Sequence, residues 1–152
     1  MGKLMGCGLA TCCTGKCVDK ALLVLRIVAG IIFIVHGAGK LFGVGPAAVG
    51  MTGFTGFLTM LSVPAPAVAA WVVALVEFVG GIAVLLGVWT RPFAVLLAIN
   101  MAVAFIVASK FRLPKGDLEL ALFGIAATLA LAGSGAYALV RDHKSSAPTP
   151  GV

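Results

Sequence analysis

Six polar residues sit inside otherwise apolar stretches of the chain. Arg26, His36 and Lys40 share one stretch, Glu77 lies in a second, Asn100 in a third, and Glu119 opens a fourth. Such groups can hold a polar headgroup or pass a proton, and among them His36 is the side chain whose charge changes near neutral pH. Their spacing on the first stretch is one-sided. At about 100° per residue, Arg26, Ala29, Gly30, Phe33, His36, Gly37 and Lys40 fall within an arc of roughly 120°. Val24, Ile31, Ile32 and Val35 occupy the opposite, aliphatic arc. Gly30 and Gly37 on the polar arc, and Gly80 and Gly81 just after Glu77, would let neighbouring helices approach closely.

A charged Glu77 near the middle of its stretch needs a partner. Arg26 is the expected one, because its long side chain can cover an offset in depth. Two readings of that pair stand side by side. It is either a structural ion pair that fixes helix register or the frame of a polar site for a headgroup or a proton. His36 has two roles open to it as well, a bond to a backbone carbonyl or a hydrogen bond to a redox-active headgroup. Lys40 can snorkel to the interface, and Asn100 suits a hydrogen bond between helices.

The cysteines form a second constellation. Cys7, Cys12, Cys13 and Cys17 all precede the first apolar stretch, spaced C-x4-C-C-x3-C. A thiolate-bound metal, thiol or persulfide exchange, reversible acylation, and an inert N-terminus all remain open. The spacing is not a standard zinc or iron–sulfur pattern, while Lys16 and Lys20 would favour thiolates.

Composition says what must position these groups. Of 152 residues, 61% are hydrophobic and only 11% charged, against about 25% charged in soluble domains. Lipid must cover what water cannot. The net charge of +6 does not indicate nucleic acid, because the basic residues lie at the ends of apolar stretches and form no basic stripe with aromatics. No phosphate loop, nucleophile elbow or dinucleotide fingerprint is present.

A hydrocarbon core needs about 20 mostly apolar residues as helix. Four stretches qualify: Ala21 to Phe42, Val68 to Trp89, Pro92 to Ser109 and Leu118 to Val140. The expected fold is all-α, an integral membrane four-helix bundle over residues 20–142. A Cys-containing segment, 1–19, precedes it, and a disordered polar tail, 143–152, follows. Thr90-Arg91-Pro92 makes a tight hairpin turn, and Asp117 is positioned to cap the fourth helix. Between the first two spans, Phe54, Phe57, Leu58 and Leu61 recur at helical spacing before Pro64 and Pro66, which predicts a short interfacial helix. The Lys and Arg distribution favours cytoplasmic termini.

The run Arg26-x3-Gly30-x2-Phe33-x2-His36-Gly37-x2-Lys40-Leu41-Phe42-Gly43 resembles the first-helix signature of the DoxX family. Glu77-x2-Gly80-Gly81-x4-Leu86-Gly87-x2-Thr90-Arg91 is similar to the family's second-helix pattern, and Gly133-Ser134-Gly135 resembles its last-helix ending. The likeness covers about residues 20 to 142. It implies a four-helix inner (plasma) membrane protein, with relatives that include a small subunit of thiosulfate:quinone oxidoreductase. It also implies that Arg26, His36, Lys40 and Glu77 are the recurrent polar positions.

The resulting expectation is a membrane redox component that acts with other protein subunits. Arg26, His36, Lys40, Glu77 and Asn100 would surround a quinone, and His36 and Glu77 would carry the proton chemistry. A sulfur compound or thiol would donate electrons. The competing reading is a non-enzymatic scaffold or small metal or solute transporter. The absence of any Cys inside a span weighs against metal transport.

Overall fold

The computed structural model describes residues 15–110, 113 and 116–140. It contains α1 (Gly15–Leu41), α2 (Gly50–Met60), α3 (Pro66–Leu86), α4 (Thr90–Val107) and α5 (Asp117–Ala132), with no strand among the described residues. Among the described residues, three helical segments are long and apolar enough to cross a membrane: Cys17–Leu41, Pro66–Leu86 and Thr90–Val107. Large apolar side chains such as Val24, Ile31, Val72, Leu75, Ile99 and Val103 lie exposed on the outer faces, where lipid would cover them.

The one-sided pattern of α1 decides its packing. Arg26, Ala29, Gly30, Phe33 and Gly37 are buried, whereas Val24, Ile27, Val28 and Ile31 are exposed. The buried face lies chiefly along α3, and α4 lies along α5. Glycines set the α1–α3 spacing. A Cβ at Gly30 would stand 2.7 Å from Leu85 Cβ, and one at Gly37 would stand 2.6 Å from Phe78 N. The latter neighbour is backbone and cannot swing aside. Gly37→Ala is therefore expected to destabilise the protein by about 1–3 kcal/mol, read as a lower melting temperature in detergent. Gly56→Ala, on an open face of α2, should leave the melting temperature unchanged.

The α3–α4 connection is short. Gly87 ends α3 with φ 73°, a left-handed conformation that glycine adopts without strain, and α4 begins at Thr90. Pro92 thus lies inside the first turn of α4 and does not begin the helix. Similarly, Asp117 is the first residue of α5; the N-cap is Gly116, and no side chain caps the helix. Its negative charge still suits that end of the dipole. The short helix predicted between the first two spans is present as α2, which turns Leu58 inward.

The largest departure from expectation concerns the last helix. It was expected to run to Val140 but ends at Ala132, where Gly133 (φ 84°) and Gly135 (φ 70°) take backbone angles no helix uses. At 16 residues, α5 rises about 24 Å. Residues 133–140 fold back over the end of the bundle. Leu139 N donates to Leu86 O and Val140 N to Gly87 O, each at 3.2 Å, and Ala136 N donates to Asp19 Oδ1 at 2.8 Å. The expected Cys-containing segment through residue 14 and the tail from 143 lie outside the described residues.

Candidate functional site

Glu77 lies midway along α3, and its side chain is 3% exposed. Both carboxylate oxygens are engaged. Lys40 Nζ, from the last turn of α1, donates to Oε2 in an ion pair, and Asn100 Nδ2, from α4, donates to Oε1 at 3.1 Å. A buried charge is tolerable when it is paired and hydrogen-bonded in this way. Lys40 also lies over the Phe54 ring of α2, 4.9 Å from its centroid, a contact that favours the cation. Three helices thus meet at one carboxylate, and α2 sets Phe54 against its cation.

His36 stands one turn before Lys40, with Nδ1 2.9 Å from Ile32 O. A carbonyl can only accept, so Nδ1 carries the hydrogen of this bond. In the neutral ring Nε2 is then an acceptor.

These groups share a cavity of about 630 Å³. His36, Lys40, Glu77 and Asn100 line it, as does Glu119 from the first turn of α5. The remaining wall is mainly apolar and includes Phe33, Phe54, Phe57, Met101 and Leu122. Phe54 and Phe57 stack with centroids 6.5 Å apart, so α2 covers the cavity with aromatic surface. An apolar enclosure with a few convergent polar groups is the usual form of a small-molecule site.

Arg26 is elsewhere. Its guanidinium, 1% exposed, donates to four backbone carbonyls. Nε reaches Val84 O at 2.9 Å and Nη2 reaches Leu85 O at 3.0 Å. Nη1 reaches Ser134 O at 2.9 Å and Tyr137 O at 3.3 Å. The expected Arg26–Glu77 pair is therefore replaced by Lys40–Glu77, and Arg26 does not line the cavity. Helix register is the reason. Gly30 lies against Leu85 and Gly37 against Phe78. Arg26 consequently reaches the end of α3, about 10–12 Å of helix rise beyond Glu77. Gly87 makes room for it, because a Cβ there would fall on the guanidinium.

Of the five residues expected around a headgroup, the structure brings together His36, Lys40, Glu77 and Asn100. Glu119, outside that set of five, joins them. The carbonyls that hold Arg26 carry no side-chain signal. Matching the close-packing glycines would have exposed the register, since Gly81 faces Gly30, Phe33 and Ile34. Cys17 lies in α1 and is partly buried, while Cys7, Cys12 and Cys13 lie outside the described residues. Among those residues, no group of three or more His, Cys, Asp or Glu side chains is arranged to hold a metal.

Comparison with known proteins agrees with this architecture. The DoxX family profile matches residues 21–110, from α1 through α4. The chain is similar to "Putative oxidoreductase CatD" of Bacillus subtilis, 33% identical over 127 residues that cover 82% of this chain and 87% of that one. It is also 33% identical over 131 residues to the inner membrane protein YqjF of Escherichia coli, covering 83% and 94% of the two chains. To inner membrane protein YphA of the same organism it is 28% identical, with 79% and 88% covered. No solved structure matches the chain. With the polar cluster on helices inside the matched region, this chain is a multi-pass membrane protein and belongs to the DoxX family.

Proposed function

We propose that this chain is the membrane-embedded component of a quinone-linked redox system, and that the cavity beneath α2 holds the quinone headgroup. The observation that carries this reading is the buried Lys40–Glu77–Asn100 cluster in an otherwise apolar, aromatic cavity. Lys40 and Asn100 supply N–H donors suited to a carbonyl, Glu77 can relay a proton, and His36 Nε2 can take one up. The apolar wall suits a ring and its hydrocarbon substituents. The oxidoreductase wording in the name of CatD points the same way.

The electron donor is a thiol or other sulfur compound, delivered by a partner subunit. Two thiols give up two electrons and two protons and become a disulfide, and the quinone takes both pairs and becomes the hydroquinone. In the membrane, the chain is read as four spans with cytoplasmic termini in the inner membrane. Exposed Leu118, Leu120, Phe123 and Leu131 on α5 support a lipid-facing fourth helix.

His36→Ala and Glu77→Ala are the direct tests, assayed as quinone reduction by a thiol donor in native membranes. Each is expected to lose about 100-fold in rate, the scale of one proton-transfer group. An unchanged rate in a normally folded variant excludes this reading.

A further inference from the structure

Glu119 differs from Glu77 in one respect that bears on the ligand. Both residues line the same cavity, one from α5 and one from α3. Glu77 has a donor on each oxygen. Glu119 Oε2 is buried, and among the described residues no donor reaches it. An acceptor left in that state costs stability. A ligand that supplied a hydrogen there would remove the cost.

A carboxylate oxygen accepts and does not donate. It can therefore bond a hydroxyl but meets a carbonyl oxygen acceptor to acceptor, an arrangement that disfavours the wrong partner. Hydroquinones and quinones differ in this very property, since reduction turns each carbonyl into a hydroxyl. The Glu77 end does not make the distinction, because Lys40 and Asn100 offer donors and the carboxylate offers acceptors.

We infer that Glu119 is the residue that reads the oxidation state of the ligand: its Oε2 accepts a hydroxyl hydrogen, so the cavity holds a hydroquinone more tightly than the corresponding quinone. This rests on the quinone reading of the cavity. It adds a direction to it. Tighter binding of the reduced form makes the bound quinone a stronger oxidant. For a two-electron couple, a tenfold preference raises the potential by about 30 mV. A weak sulfur reductant then suffices to reduce it.

The test measures binding without turnover. The purified full-length chain is titrated in detergent under anaerobic conditions with duroquinol and with duroquinone, by equilibrium dialysis. The wild type is expected to bind the quinol about tenfold more tightly than the quinone, a preference smaller than the largest hydroxyl discriminations known. Glu119→Gln can donate as well as accept, so the ratio should fall to near one, with the quinone gaining affinity. Glu119→Leu removes the orphaned oxygen, should melt no lower than the wild type, and should also lose the preference. A purely structural Glu119 would not move this ratio.

Persistence of the wild-type ratio in both variants overturns the inference. A wild type that binds both forms equally overturns it while leaving the quinone reading intact. A wild type that binds neither removes the quinone reading and this inference together.

Discussion

Arg26→Ala is expected to lower the unfolding free energy of the purified protein by about 3–5 kcal/mol, near the upper end for a single substitution. The guanidinium bonds the carbonyls of Val84, Leu85, Ser134 and Tyr137. Two belong to the last turn of α3, where carbonyls run out of helical amides, although Val84 O also accepts from Gly87 N at 3.2 Å. The other two belong to the segment that folds back after α5. One buried cation therefore joins three parts of the chain at one end of the bundle. Its removal strips donors from buried carbonyls and leaves space in their midst.

Arg26→Lys should recover little, because a single ammonium cannot reproduce a planar fork aimed at several acceptors. Melting in detergent reads both variants. A loss below about 1 kcal/mol would show that water can replace the guanidinium. The folded fraction of either variant should keep its affinity for a quinone, since the cavity lies at the other end of α3. An equal loss of affinity and stability would place Arg26 in the site after all.

The second large effect separates the structural role of the Lys40–Glu77 pair from its chemical one. Glu77→Ala leaves Lys40, only 15% exposed, without its counter-ion beside the apolar cavity. Breaking a buried pair in this way costs about 3–5 kcal/mol. Lys40→Met alone leaves the carboxylate with Asn100 as its remaining donor and should cost a similar amount. The double variant Lys40→Met/Glu77→Leu replaces the pair with apolar groups of comparable size. Such replacements are often neutral or stabilising, so its melting temperature should return to within a few degrees of the wild type.

Quinone reduction should not return with it, and the rate should stay about 100-fold down. Full activity in the stable double variant would reduce the pair to a structural tie. A double variant that melts as low as Glu77→Ala would show instead that Asn100 and Phe54 depend on the charges for their placement.

The particular elements show how far the sequence could be read. The polar arc of α1 was legible because an amphipathic helix in lipid repeats the helical period in its residue types. Its buried and exposed faces follow that arc from Val24 to Gly37. The aromatic helix between Gly43 and Ala67 was legible for the same reason, since Phe54, Phe57, Leu58 and Leu61 keep the period and the prolines end it. Periodicity does not give the register between two helices. Residue types alone favour Arg26 as the partner of Glu77, whereas packing at Gly30 and Gly37 places Lys40 there.

The end of α5 escapes the helical period for a similar reason. Residues 133–140 are apolar enough to continue a span, but two glycines with positive φ and two backbone bonds to the end of α3 hold them in another shape. Those bonds use main-chain atoms, which every residue carries, so residue type holds no record of them.

The sequence by itself determined that lipid is the solvent, that the chain is helical, and which face of α1 turns inward. Each of these follows from counting apolar residues and their period. Only the tertiary structure decided which cation meets Glu77, that Arg26 instead fastens the far end of the bundle, and that Glu119 reaches the same cavity from α5. Those outcomes depend on how closely helices approach and on their relative height. Both are set by contacts between residues distant in the chain, which no local pattern encodes.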